Sequence, residues 1–185
     1  MRFYFDGCSN TWGAELAKPE VSRYSKLVSD FFSAEEHNVA RRGGSDKRVL
    51  RNLLETDLSQ YDYVIVQLTC KNRTEFWKEE KQIWQQVRKP PRKESKIDRK
   101  NWWHYYFANI YTEKLGDINQ LTYYHAMKNV LKDKKHLIIG VSGWGHIIQA
   151  PVDINFTNHR IAPLGHPNEE GHKQIANEII KCISI

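Results

Sequence analysis

Apolar and polar positions along the chain switch repeatedly between a period of two and a period near 3.6. Residues 2–6 (Arg-Phe-Tyr-Phe-Asp) are an aromatic run stopped by Gly7, which predicts a first strand. Residues 14–18 suit a short helix broken by Pro19. Val21, Tyr24, Leu27, Val28, Phe31 and Phe32 then fall at helical spacing over 21–32. A short strand is predicted over 37–40, and a helix capped by Ser45 or Asp46 runs through Val49, Leu50, Leu53 and Leu54. Residues 61–68 (Tyr-Asp-Tyr-Val-Ile-Val-Gln-Leu) have the β-branched, weakly alternating pattern of a central parallel strand. Further helices are expected from 74 or 75 to 87, over 117–131 and over 167–180. Further strands are expected over 136–141 and, briefly, around 156–161. Strands alternating with helices predict an α/β fold with a mainly parallel sheet of about five strands. No repeat or composition shift divides residues 1–185, so one domain is expected.

Composition changes this picture little. A hydrophobic fraction of 40% and a charged fraction of 27% are those of an ordinary globular chain. Cys8, Cys70 and Cys182 are odd in number and widely spaced, which argues against a disulfide framework and a zinc site. The scattered histidines lack ligand spacing, so neither a metal nor a cofactor is expected. No apolar run is long enough for a signal or a membrane span, which predicts a cytoplasmic protein with no membrane partner.

Charge is more informative. The net charge is +6, and much of the excess lies in Arg88, Lys89, Arg92, Lys93, Lys96, Arg99 and Lys100. With Pro90 and Pro91 inside it, this reads as an exposed basic loop insertion at about 88–104. The aromatics that follow (Trp102, Trp103, Tyr105, Tyr106) resemble a base-stacking surface, so nucleic acid is a secondary candidate partner beside a solvated loop.

In open α/β sheets the working crevice lies beyond the carboxyl ends of the strands. Here those ends carry Gly7-Cys8-Ser9, Gly43-Gly44-Ser45, Thr69-Cys70 and Ser142-Gly143, and Gly165-His166-Pro167 precedes the last helix. Ser9 sits where a strand breaks and a helix begins, a junction suited to an anion or a nucleophile as well as to a simple helix cap.

The order and spacing of these blocks resemble the SGNH (GDSL-like) hydrolases, in particular the short versions common in phage genomes. The matching residues are Gly7-Cys8-Ser9-Asn10-Thr11-Trp12-Gly13, the Asn38–Ser45 block with Gly43, a degenerate Gln67-Leu68-Thr69-Cys70, and His166-Pro167-Asn168 with Gly171-His172. The resemblance implies a flavodoxin-like three-layer α/β/α sandwich and esterase activity, often removal of acetyl groups from carbohydrates. By it, Ser9 is the nucleophile and His166 the base. The Ser9 N–H, the Gly43 N–H and the Thr69 side chain form the oxyanion hole. Asn10 and Arg73 are candidate substrate-binding residues. Thr69 stands where the family has an asparagine, and Pro163 stands where it has the aspartate that orients the histidine. Asp153, in the same irregular stretch, is the candidate orienter.

Two functions follow. The first is a serine esterase acting on a small acyl ester or an O-acetylated glycan. The second is a catalytically impaired SGNH-fold protein that binds a ligand, a partner or nucleic acid, virion-associated if the chain is phage-encoded. Cys8 is an alternative nucleophile to Ser9, set against a plain packing role.

Overall fold

The sheet grows outward from the first strand. The structure, a computed structural model, describes residues 1–88, 102–141, 148–154 and 161–184. β1 (Arg2–Asp6) lies between β2 (Glu35–Asn38) and β3 (Tyr63–Gln67), with Phe5 opposite Asn38 on one side and Ile65 on the other. β6 (His136–Val141) continues beyond β3, and β7 (Asp153–Ile154) beyond β6, giving the order β2-β1-β3-β6-β7. Every pairing in this sheet is parallel. This is the flavodoxin-like order, whose switch point lies beside the first strand.

Strand pleat divides the core in two. Phe3, Phe5, Ile65 and Ile139 face a cluster that holds Tyr24 and Val28 of α3 (Tyr24–Phe31) and Ile175 and Ile179 of α7 (Glu169–Ile183). Tyr4, Val64, Val66 and Ile138 face the other way, onto Val49 and Leu53 of α4 (Asp46–Glu55) and Met127 of α6 (Glu113–Val130). Period-two alternation therefore puts apolar side chains on both faces, and helices cover both. Full burial of one such aliphatic side chain contributes about 1.5–3 kcal/mol. The result is the three-layer sandwich expected from the sequence.

Element boundaries differ in instructive places. The helix expected over 21–32 is two: α2 (Pro19–Ser22) and α3 meet at Arg23, whose extended backbone (ψ 147°) breaks the run. α6 starts at Glu113, earlier than expected, because the Thr112 hydroxyl accepts from Leu115 N at 3.1 Å and caps it. The fifth strand is β7. Residues 155–160, where a fifth strand was expected, lie outside the described residues, as do 89–101 of the basic insertion and Ser142-Gly143. α5 (Trp102–Asn109) follows that insertion as a helix.

The largest correction falls on residues 74–87. They form an antiparallel hairpin, β4 (Arg73–Lys78) and β5 (Ile83–Arg88), where a helix was expected. Thr, Phe, Trp, Ile and Val favour a strand, and Trp77 packs against its cross-strand partner Trp84 at 5.6 Å between ring centres. The connection closes through Gln82 in the left-handed region (φ 50°). Docking onto α4 completes the argument: Arg51 binds the buried Glu75 at 2.7 Å and lies over the Trp84 ring. Tertiary contact has overridden a weak helical pattern. Among the described residues no helix is long and apolar enough to cross a membrane.

Candidate active site

The turn that carries Ser9 is built by exclusion of side-chain volume. A Cβ on Gly7 would lie 2.4 Å from Thr11 Oγ1 and 2.8 Å from Gln67 Cβ, so only glycine lets the chain turn tightly out of β1. The buried Asp6 carboxylate anchors the start of the turn, accepting from Gly7 N (2.7 Å), Arg48 Nη1 (2.7 Å) and Asn52 Nδ2 (2.8 Å). Burial pushes the Asp6 carboxyl up, and the Arg48 guanidinium opposes that shift. Past the turn, Thr11 Oγ1 bonds both Gln67 Oε1 and Tyr24 OH at 2.7 Å, tying α1 (Ser9–Trp12) to β3 and α3.

Ser9 is 6% exposed and lines a cleft of about 630 Å³ together with Gly43 and His166. The Gly43 loop is brought in by close backbone packing. A Cβ on Gly44 would lie 2.6 Å from the Gly7 carbonyl oxygen, so the two loops touch main chain to main chain. Gly43 takes the left-handed conformation (φ 75°) at the cleft wall. Neither Ser9 N nor Gly43 N has an acceptor among the described residues.

The other sequence candidates lie deeper. Cys8 is fully buried, in contact with the Gln67 amide (Sγ to Nε2 3.3 Å), and it accepts from Ser9 Oγ at 3.8 Å. It packs beneath the turn and does not line the cleft. Asn10 has no exposed surface either, and neither of its amide atoms has a partner among the described residues. Thr69 is likewise fully buried, and its backbone N–H donates to Asp46 Oδ1 at 2.6 Å. Arg73, in contrast, lines the cleft.

His166 is held by a residue that sequence reasoning missed. Its Nδ1 is 2.7 Å from Glu15 Oε2, which also accepts from His166 N at 3.0 Å, while Glu15 Oε1 accepts from Leu164 N at 2.8 Å. One carboxylate therefore shapes the loop before α7 and orients the ring. A tight turn assists, with Ala162 N donating to His166 O (2.7 Å), Gly165 N to Ala162 O (2.9 Å), and Gly165 left-handed at φ 91°. Burial raises the Glu15 carboxyl, but the hydrogen bonds from Leu164 N and from His166 outweigh it and leave it below the ordinary value. Glu15 itself takes a left-handed backbone (φ 70°), a costly conformation for a non-glycine residue.

Asp153, expected to orient the imidazole, lies in β7 with Oδ1 against Gly140 of the neighbouring strand, 2.7 Å from where a Cβ there would be. The reason is its register: pairing with Gly140 commits Asp153 to the sheet. The carboxylate absent at Pro163 is supplied by Glu15, which follows α1 directly. A glutamate two residues past the Gly13 cap was the only signal in the sequence, and its spacing from His166 (151 positions) hid it. Among the described residues no group of histidine, cysteine and carboxylate side chains is arranged to hold a metal.

No family model and no curated protein matches the sequence. Solved structures do resemble the fold. A member of the lipolytic protein G-D-S-L family from Veillonella parvula matches with 12% identity over 100% of this chain and 98% of its own (TM-score 0.54). A psychrotrophic esterase from a Pseudoalteromonas species matches with 13% identity over 99% and 96% (TM-score 0.54). An acetyl xylan esterase from Butyrivibrio proteoclasticus matches with 12% identity, over 98% of this chain and 63% of that larger one (TM-score 0.53). The parallel sheet order and these likenesses agree that the chain has the SGNH-like hydrolase fold.

Proposed function

We propose that the protein is a serine esterase that hydrolyses an acyl ester, with Ser9 as nucleophile and His166 as general base. One observation carries the reading: Ser9 and His166 line one cleft, and a carboxylate binds Nδ1 of that histidine. With the Nδ1 proton directed at Glu15, the lone pair of neutral His166 is on Nε2, the nitrogen left to take a proton.

The chemistry follows from these groups. Ser9 Oγ attacks the ester carbonyl carbon while His166 Nε2 accepts the hydroxyl proton. The tetrahedral oxyanion is stabilised by the N–H groups of Ser9 and Gly43, which have no acceptor among the described residues. Collapse expels the alcohol, which takes the proton from the imidazolium. Water, deprotonated by the same imidazole, then releases the acid from the acyl-serine. Glu15 stabilises the imidazolium throughout without accepting its proton.

The acetyl xylan esterase among the structural neighbours supports an O-acetylated carbohydrate as the substrate class. The test is turnover of p-nitrophenyl acetate. Ser9→Ala is expected to reduce kcat by at least about 10⁴-fold, as loss of a triad nucleophile does. Equal turnover by wild type and Ser9→Ala overturns the reading and favours a binding role for the same cleft.

A further inference from the structure

The wall of the cleft opposite the histidine loop is cationic. Arg42, Arg73 and Arg88 all line it, and the one carboxylate in the lining among the described residues, Glu15, is occupied by Leu164 and His166. These arginines come from two separate elements. Arg42 adjoins Gly43 in the oxyanion loop, with its guanidinium 4.3 Å from the centre of the Trp12 ring. Arg73 and Arg88 are directly paired across the hairpin, on the same face as Gln86, whose Oε1 lies 3.7 Å from the Cβ position of Gly43.

This arrangement has an electrostatic cost. Like charges directly opposite on paired strands repel and disfavour the pairing. Arg2, Arg23, Arg48 and Arg51 each have a carboxylate within 3.2 Å. Arg42 and Arg88 have no ion-pair partner among the described residues, although both lie at the one cleft that contains Ser9. A simple neutral acetyl ester has no use for such a wall. The apolar lining from Ala14, Ile161 and Leu164 provides for an acyl group on the histidine side.

We infer that the substrate is an anionic ester: an O-acyl compound that carries a carboxylate or phosphate group, bound by the Arg42–Arg73–Arg88 wall while its ester carbonyl meets Ser9. This rests on the esterase reading for the reaction, but not for the anion site. The planar guanidinium fork suits either oxyanion through paired, charge-assisted hydrogen bonds. The reaction is the hydrolysis already described, and the anion takes no part in bond making.

Two matched pairs of esters test it, one with the charge on the acyl side (p-nitrophenyl acetate against p-nitrophenyl hemisuccinate) and one with it on the alcohol side (O-acetylated galactose against O-acetylated galacturonate). Wild type is expected to favour the anionic member of one pair by about 10-fold or more in kcat/KM, mostly through KM, and to lose that preference as salt rises. The double variant Arg42→Gln/Arg88→Gln is expected to reduce the anionic-to-neutral ratio by about 10–100-fold, the worth of one or two charge-assisted hydrogen bonds. Arg42→Lys/Arg88→Lys is expected to keep part of it. Sugar phosphates replace the galacturonate to tell phosphate from carboxylate. Equal kcat/KM within both ester pairs and no preference for the phosphate, or an undiminished ratio in the folded double Gln variant, overturns the anion site. If no ester is hydrolysed the esterase reading fails, and the anion site is judged by calorimetry on wild type. Tighter binding of galacturonate, succinate or glucose 6-phosphate than of galactose, succinamide or glucose then upholds it. Equal binding rejects it.

Discussion

The turn that carries Ser9 and the loop that carries His166 are held in place by opposite means. The turn after β1 is fixed sterically: Gly7 and Gly44 leave no room for a Cβ, and the backbones of two loops touch. The loop that carries His166 is fixed by polar bonds to a single distant side chain, with Glu15 accepting two backbone N–H groups and facing Nδ1. A glycine turn is robust because it follows from excluded volume. A carboxylate clamp is specific but depends on one residue and on its ionisation. The two parts of one site therefore fail differently, which gives a way to separate them.

The largest effect is expected on the clamp. His166→Ala is expected to cut kcat by about 10⁴-fold or more, and Glu15→Gln by about 10²–10⁴-fold, because the amide no longer selects the Nδ1–H tautomer or stabilises the imidazolium. Steady-state kinetics with a neutral ester read this out, and an unchanged KM with reduced kcat marks Glu15 as a positioning residue. If Glu15→Gln keeps full kcat, the clamp is only structural.

Acid titration comes next. His172 is buried and stacked on Tyr24, and its Nδ1 accepts from Tyr24 N at 3.0 Å. Burial, and then the charge of His166, depress its pKa to about 4. A base that is harder to protonate when folded contributes full stability above its unfolded value near 6.5 and loses it as pH falls towards 4. The predicted loss is up to about 3 kcal/mol between those pH values, measured by urea unfolding, and His172→Gln is expected to flatten that slope. The depressed Glu15 carboxyl has the same sign at lower pH: its contribution is present above the unfolded carboxylate value and disappears on acidification through the folded one.

The turn is expected to give the smallest and most purely structural effect. Gly44→Ala forces a Cβ against a backbone carbonyl that cannot swing away, and the expected cost is about 1–3 kcal/mol in stability. Gly43→Ala makes only an ordinary contact, with Gln86 Oε1 at 3.7 Å, but keeps an unfavourable positive φ, so about 1–2 kcal/mol is expected there. Thermal unfolding checks both. A Gly44→Ala protein with unchanged Tm shows that the two loops are not locked as described.

The same contrast explains how much was legible beforehand. Ser9, Gly43 and the strand ends around them follow a local pattern, since a strand, a glycine and a helix start are neighbours in sequence. The hairpin over 73–88 was misread because its apolar residues fit neither period cleanly, and its strands are stabilised by α4 through Arg51, Glu75 and Trp84. Thr69 and Asn10 are near the site in sequence, but packing turned both inward.

By itself the amino-acid sequence determined the alternation of strands and helices, the two-sided burial of the sheet, and the glycines that bend the chain at its strand ends. Those depend on propensity, periodicity and excluded volume, which act over a few residues. Only the tertiary structure decided that Glu15 stands where Pro163 offers nothing, that Asp153 belongs to the sheet, and that Arg42, Arg73 and Arg88 share one wall. A contact between residues 151 positions apart depends on how two loops approach in space, and no local pattern encodes that distance.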